Sequence, residues 1–281
     1  MKRLGIIGNP LGHSISPALH EAVINKLGME LTYEKWEVEK EALPGFLGEV
    51  RRNRDILGFN VTIPYKKEIL KHLDQVGEEA AVLEAVNTVV CEEGRLIGFN
   101  TDGPGFLDSL ASHGIQPQGR SILILGSGGA AFGVSLALAR AGADRIDVAV
   151  RDREKGRHLA ETIRRQGTHS TCFLFQEVTG ELLRSFSLII QGTSLGMKGN
   201  PGRPEIPYEA LTADHILADI VYNPLETPFL KAGKEAGALL ISGLEMLAYQ
   251  GARSFSLWTG AEGEPLLMME VGRKVLEGRD E

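Results

Sequence analysis

The sequence predicts an α/β fold built from two units. Strand-like and helix-like stretches alternate almost throughout, a continuously apolar strand restarts the pattern near Ser121, and 281 residues suit two domains rather than one. No internal repeat, low-complexity tract or flexible linker interrupts this order.

The first unit opens with an apolar strand at Leu4–Ile7. Ser16-Pro17 then starts a helix, with Ser16 suited to the N-cap and Pro17 to the first helical position. Leu19, Ala22, Val23 and Leu27 follow at helical spacing, and Gly28 closes the segment. Strands are expected at Leu31–Val38 and Ile56–Val61, a short helix from Pro64 carrying Lys66 and Lys67, and a β-hairpin over 87–99 that turns at Glu92-Glu93-Gly94-Arg95. In the second unit Ser121-Ile122-Leu123-Ile124-Leu125 is apolar without alternation, as a strand covered on both faces should be. Further strands are expected at Ile146–Val150, Thr171–Phe175, Leu188–Ile190, Ile216–Ile220 and Leu239–Ile241, and the stretch from Gly243 is mostly helical.

Composition excludes several function classes. Hydrophobic residues make up 43% and charged residues 24%, so the chain can bury a large core without staples. A net charge of −7 with no long basic run argues against nucleic-acid binding. Cys91 and Cys172 match no metal or redox spacing and read as buried small hydrophobes. The seven histidines are scattered singly, so no metal is expected. No apolar segment approaches the roughly 20 residues needed to span a bilayer, and the N-terminal run is too short for a signal peptide; a cytoplasmic protein is expected.

The strand at Ser121 ends in Gly126-Ser127-Gly128-Gly129-Ala130-Ala131 and a helical pattern follows. This fits G-x-G-x-x-G/A in the context that gives the pattern meaning. Small residues let the backbone approach a pyrophosphate, and the helix N-terminus offers free N–H groups, so a Rossmann-like dinucleotide-binding unit is expected. The end of the next strand selects between NAD and NADP, because an acid there binds the ribose 2′-hydroxyl and an arginine accepts a 2′-phosphate. Arg151, Arg153 and Lys155 favour NADP, whereas Asp152 would repel the phosphate if it points inward.

Four polar stretches sit at strand ends in the first unit: 13–17, 60–66, 87–89 and 100–103. Ligands of open α/β sheets collect at the carboxyl ends of strands. The hydroxyls, amides, lysine and aspartate gathered here are the donors and acceptors that a small polyol carboxylate requires. Each stretch alone reads equally as a turn or cap; four together point to a site. Lys66 and Asp102 are the candidates for the proton transfer that must accompany hydride transfer at an alcohol carbon.

The ordered set of Gly12-His13-Ser14-Ile15-Ser16-Pro17, Asn60-Val61-Thr62-Ile63-Pro64-Tyr65-Lys66, Ala85-Val86-Asn87-Thr88, Asn100-Thr101-Asp102-Gly103 and Gly126-Ser127-Gly128-Gly129-Ala130 resembles the shikimate dehydrogenase family. Asp219-Ile220-Val221-Tyr222-Asn223-Pro224 and the stretch from Gly243 through Gln250 continue the likeness nearly end to end. The resemblance implies an N-terminal α/β substrate domain of residues 1–104 with 243–281 and an NADP-binding domain of residues 105–242. It implies NADPH-dependent, reversible reduction of 3-dehydroshikimate to shikimate in aromatic amino-acid biosynthesis, by a monomer or homodimer. It assigns acid/base work to Lys66 with Asp102 beside it. Ser14, Ser16, Asn60, Thr62, Asn87, Asp102, Tyr222 and Gln250 would hold the substrate. Gly126, Ser127, Gly128, Gly129 and Ala130 would hold the pyrophosphate, with Arg151 beside the adenine or 2′-phosphate. Thr193, Ser194, Leu195, Gly196 and Met197 form a second cofactor loop, and Glu78, Ile220, Gly243 and Met246 complete the cofactor set.

One departure bears on the cofactor. NADP-specific members of the family usually carry Asn-Arg-Thr where this chain has Val150-Arg151-Asp152, so NAD stays open as an alternative. A quinate/shikimate dehydrogenase using NAD is the rival that Asp152 favours, while the serine pair Ser14 and Ser16 favours shikimate. A non-catalytic NAD(P)-sensing protein is a rival of another class, against which Lys66 and Asp102 both stand.

Overall fold

A computed structural model describes residues 1–278. In chain order the elements begin with β1 (Lys2–Gly8), α1 (Ser16–Lys26), β2 (Leu31–Glu37), α2 (Leu43–Arg52), β3 (Ile56–Val61) and the short α3 (Tyr65–Glu68). Then come β4 (Gln75–Val76), α4 (Glu78–Leu83), β5 (Thr88–Glu92), β6 (Arg95–Phe99) and α5 (Asp102–Ser112). The remainder is β7 (Ser121–Leu125), α6 (Gly129–Arg140), β8 (Arg145–Val150), α7 (Arg153–Arg165), β9 (Cys172–Leu174), α8 (Gly180–Arg184), β10 (Leu188–Gln191), β11 (Ile216–Asp219), α9 (Pro228–Glu235), β12 (Leu239–Ile241), α10 (Gly243–Thr259) and α11 (Pro265–Glu277). The chain divides into two compact units: Met1–Thr101 with the segment from Ala248 onward, and Asp102–Leu247.

In the first unit the sheet order is β2-β1-β3-β5-β6-β4. Strand β1 pairs in parallel with both β2 and β3, so the chain winds outward in opposite directions on either side of the β1–β3 seam. Strand β5 runs antiparallel to both β3 and β6. The start of β5 and the end of β6 therefore lie at the same end of the sheet as the carboxyl end of β3, with Asn60 opposite Thr88 and Thr88 opposite Phe99. This register gathers the polar stretches that are far apart in sequence.

The two faces of this sheet are covered differently. Phe59 meets Trp36 and Phe46 at ring-centroid distances of 6.2 Å each, which seats α2 on one face. Helix α2 contains Pro44, Gly45 and Gly48, poor helix formers, and the sequence reading does not anticipate it. It forms because Leu43, Leu47 and Val50 bury one stripe at helical spacing. On the other face the Trp258 indole donates to the Val89 carbonyl at 2.8 Å and lies directly over Gly58.

In the second unit the order is β12-β11-β10-β7-β8-β9, with every pairing parallel. The unbroken apolar run of β7 is explained by its two faces. Ile122 and Ile124 pack with Phe106, Leu110, Val134 and Leu138, whereas Leu123 and Leu125 pack with Phe175, Leu183, Phe186 and Phe229. The direction of winding reverses between β7 and β10, which makes the carboxyl ends of those two strands the switch point of the sheet.

Local details depart from the sequence reading in three places. Ser16 does not cap α1: the N-cap is Ile15, and Ser16 is itself the first helical residue. The backbone N–H of Ser16 instead donates to Ser14 Oγ at 3.3 Å. The strand expected at Thr171–Phe175 is shortened to Cys172–Leu174, because Phe175–Glu177 tighten into a 3₁₀ turn. Cys91 and Cys172 are half-buried against the cores rather than enclosed by them.

A Cβ at Gly58 would sit 2.3 Å from both the Trp258 ring and the Val89 carbonyl oxygen. Gly58→Ala is expected to lower unfolding free energy by about 1–3 kcal/mol, as overpacking of a rigid core does. Denaturant unfolding would measure it, and an unchanged midpoint would show that the indole and the Val89 backbone both give way.

Candidate functional site

The first unit carries a buried polar network where its strands end. Asn60, the penultimate residue of β3, accepts a 2.7 Å hydrogen bond from the Tyr33 hydroxyl of β2. Its amide nitrogen lies 3.1 Å from the Asn87 carbonyl, 3.2 Å from Thr88 Oγ1 and 3.1 Å from Ser254 Oγ, three acceptors for two hydrogens. Asn87 donates to Thr101 Oγ1 at 2.9 Å and to Gln250 Oε1 at 3.2 Å, and accepts from the Thr101 N–H at 2.8 Å. Thr88 and Ser254 hydroxyls are 2.7 Å apart. Strands β2, β3 and β5, the segment that follows β6 and helix α10 are thus joined through side chains of one unit.

His20 of α1 closes this network from below. It is 1% exposed, and its ring stacks on Tyr33 at 4.3 Å with an interplanar angle of 9°. Burial pulls its pKa down to about 3, and a hydrogen bond with Asn60 only partly opposes this. Its Nδ1 has no hydrogen-bond partner. The ring is a neutral, buried structural group.

The sequence-expected residues of this unit distribute as follows. Asn60, Asn87 and Gln250 meet in the network. Ser14 and Ser16 sit at the start of α1, linked to each other by the bond described above. Thr62 follows β3, its N–H donating to the Ile7 carbonyl at 3.0 Å and its carbonyl accepting from Tyr65 N–H at 2.9 Å. Lys66 lies half-buried in α3, anchored through its carbonyl, which accepts from Val86 N–H at 2.7 Å. Glu78 opens α4 and is exposed. Asp102 and Tyr222 are half-buried and belong to the second unit, Asp102 as the first residue of α5. His20, Tyr33 and Ser254 escape the sequence reading, although Ser254 stands four residues after Gln250 and so on the same face of α10, while Thr88 falls in the polar stretch 87–89 without a role being assigned to it.

In the second unit three loops converge at the carboxyl ends of β7, β10 and β11. Gly126 has φ of +110°, and a Cβ there would lie 2.8 Å from Thr193 Cγ2 and 3.2 Å from Gly192. Only glycine lets the first two loops approach this closely. Helix α6 starts at Gly129 with Gly128 as N-cap and no side-chain cap, so side chains leave its first N–H groups open. A Cβ at Gly129 would meet nothing within 4 Å. This exposed helix start and close glycine turn fit the pyrophosphate of a dinucleotide.

Two buried side chains at strand ends shape the other loops. Gln191 and Asp219 are register partners in β10 and β11. Gln191 donates to the Leu195 carbonyl at 2.8 Å and accepts from Thr193 Oγ1 at 2.7 Å, folding the segment 193–197. Asp219 accepts from Val221 N–H at 2.9 Å and from Thr227 Oγ1 at 2.6 Å, while Thr227 caps α9. Burial pushes the Asp219 carboxyl up to about 7, against the pull of those two donors. Lys198 N–H donates to the Asn223 carbonyl at 3.0 Å, tying the second loop to the third. Gly243 lets α10 begin against this third loop, since a Cβ would lie 2.4 Å from the Val221 carbonyl. Met246 is buried in the core beneath it.

After β8, Arg151 is exposed. Asp152 caps α7, its carboxylate accepting from Glu154 N–H at 3.1 Å and Lys155 N–H at 3.3 Å. Lys155 Nζ lies 3.6 Å from the same carboxylate, and Arg153 pairs with Glu177. Among the described residues no group of three or more His, Cys, Asp or Glu side chains could hold a metal ion. No helix among them is long and apolar enough to cross a membrane.

Comparison with known proteins finds one family over nearly the whole chain. The chain matches the model of the shikimate dehydrogenase substrate binding domain over residues 6–89 and that of the shikimate 5′-dehydrogenase C-terminal domain over residues 243–271. A shikimate dehydrogenase (NADP(+)) of Thermus thermophilus is 42% identical over 276 residues, spanning 98% of this chain and 99% of that protein. One from Bacillus cereus is 42% identical over 265 residues, spanning 92% and 94%. The crystal structure of shikimate 5-dehydrogenase from Thermus thermophilus in complex with NADP(H) and shikimate superposes with a TM-score of 0.87 at 41% identity, covering 98% of this chain and 100% of that one.

His20 gives the first unit a measurable acid response. The folded state keeps it neutral to about pH 3, while the unfolded chain protonates near 6.5. Its contribution to stability is therefore complete above about pH 6.5 and falls as pH drops toward 3, by up to about 1.4 kcal/mol per pH unit. Asp219 works in the opposite sense: its raised pKa adds stability at low pH that is lost as pH rises through about 7. His20→Phe, which keeps a ring against Tyr33, should flatten the loss of stability between pH 6 and 4 in denaturant unfolding. The same slope in both proteins would mean that His20 titrates normally.

Proposed function

The chain belongs to the shikimate dehydrogenase family, and from that membership we propose how its own residues carry out NADPH-dependent, reversible reduction of 3-dehydroshikimate to shikimate. The observation that carries this reading is the presence in one chain of both a polar network at the strand ends of one unit and an uncapped, glycine-opened helix start at the switch point of the other unit's own sheet. The first unit would take the polyol carboxylate and the second the dinucleotide.

Ser14, Ser16, Thr62, Asn60, Asn87, Tyr222 and Gln250 would hold the carboxylate and hydroxyls of the substrate. The hydrogen bonds that already join Asn60, Asn87 and Gln250 support this, because they fix each amide before a ligand arrives. NADPH, when bound, would supply the hydride for the ketone carbon. Lys66 gives a proton to the ketone oxygen as that happens, and takes it from the alcohol in reverse; Asp102 is its acid/base partner. The α6 N-terminus with Gly126, Ser127, Gly128, Gly129 and Ala130 would bind the pyrophosphate. Thr193 to Met197, Ile220, Gly243 and Met246 would border the nicotinamide half, Glu78 would complete the cofactor set, and Arg151 would meet the 2′-phosphate. Arg151 supports NADP here, whereas Asp152, although engaged as the cap of α7, keeps a negative charge beside it. A cytoplasmic enzyme acting as a monomer or homodimer is the accompanying proposal.

The test is an assay in the oxidative direction with shikimate or quinate, each against NADP or NAD, alongside Lys66→Ala. Fastest turnover of shikimate with NADP is expected, with a rate loss of about a hundredfold or more in the variant, the scale of a removed acid/base. Preference for quinate or NAD would install the rival dehydrogenase. No turnover in any pairing would point to a sensor.

A further inference from the structure

Beside Arg151, a second arginine, Arg153, stands at the start of α7, where a 2′-phosphate would be read, yet its guanidinium is paired with Glu177. Glu177 belongs to the turn that follows β9, the edge strand on the far side of β8 from the switch point. Its other oxygen accepts from the Leu174 N–H at 2.8 Å, so the carboxylate is fixed in place rather than free to follow the arginine. The helix start is seated there too, because a Cβ at Gly156 would lie 2.6 Å from Cys172 Sγ and 2.5 Å from a Val150 methyl. Arg153 is therefore engaged at the turn after the edge strand β9.

We propose that Glu177 is a specificity-determining residue: by holding Arg153 at β9 it withdraws one cation from the 2′-phosphate position and leaves Arg151 to carry the preference for NADP over NAD. The inference rests on the reading that this unit binds NADP at the end of β8. Asp152 acts in the same direction by a different route. Its carboxylate occupies two N–H groups of the α7 N-terminus and places a negative charge there, next to Arg151. The chain thus carries three cations in five residues, of which two, Arg153 and Lys155, are paired with acids.

The measurement is calorimetric binding of 2′,5′-ADP and 5′-AMP, which differ by the 2′-phosphate and need no turnover. Wild type should bind 2′,5′-ADP more tightly, and Arg151→Ala should lose that preference. Glu177→Gln keeps an acceptor for Leu174 N–H and should tighten 2′,5′-ADP about two- to fivefold, the scale of a half-exposed ion pair, with 5′-AMP unchanged. The double variant Glu177→Gln/Arg153→Ala should return to the wild-type value. Asp152→Ser, which retains a capping side chain, should also tighten 2′,5′-ADP selectively. Thermal unfolding of each variant checks that the fold is kept. No gain in Glu177→Gln, or a gain that survives loss of Arg153, overturns the role of Glu177 while leaving the cofactor reading intact. A wild type that binds both nucleotides equally, or neither, overturns the cofactor reading itself.

Discussion

Asn60, only 6% exposed, must satisfy a carbonyl oxygen and two amide hydrogens largely from within the protein, and much of the first unit is arranged so that it can. An unmet buried polar group costs about 1–3 kcal/mol, comparable to a fair share of a domain's net stability. The acceptors and donors that meet this demand come from β2, β5 and α10, elements separated by up to 194 residues. Sheet register brings Thr88 opposite Asn60, and the antiparallel return of β6 brings Thr101 to the same level. The network is therefore a structural requirement of the unit before it is a place for a ligand, and its amides and hydroxyls are held in fixed orientations for the same reason.

The second unit solves a related problem with strand-end side chains. Parallel strands deliver loops to one edge of the sheet, and loops have no ladder to hold their shape. Gln191 and Asp219, side by side in the last pair of β10 and β11, turn back over their own loops and supply the missing bonds. Glycine does the rest where two backbones must nearly touch, at Gly126 against Gly192 and at Gly243 against Val221.

Most of the architecture was legible because its signals are local. The apolar run at Ser121, the glycine turn after it and the hairpin turn at Glu93-Gly94 each dictate a conformation within a few residues. Helix α2 was not legible, because its glycines argue against a helix and only its contact with the sheet decides the matter. In the same way, Asn60, Asn87 and Gln250 stand out as polar residues at strand ends or in the family pattern, but His20 and Tyr33 look like ordinary members of an amphipathic helix and a strand. Their part in the site exists only through stacking and burial. Asp152 shows the converse: sequence marks it as a charge beside the cofactor, and the structure turns that charge into a helix cap.

The first unit is not continuous in the chain. Trp258 and Ser254, which cover Gly58 and bond to Asn60, lie in the segment that begins at Ala248, after the whole second unit has been made. During synthesis the amino-terminal sheet must wait, with its Trp258-facing surface and its amide network open, until the last helices leave the ribosome, whereas the second unit can close earlier as one uninterrupted stretch. The contacts that complete the part of the protein translated first are thus themselves translated last.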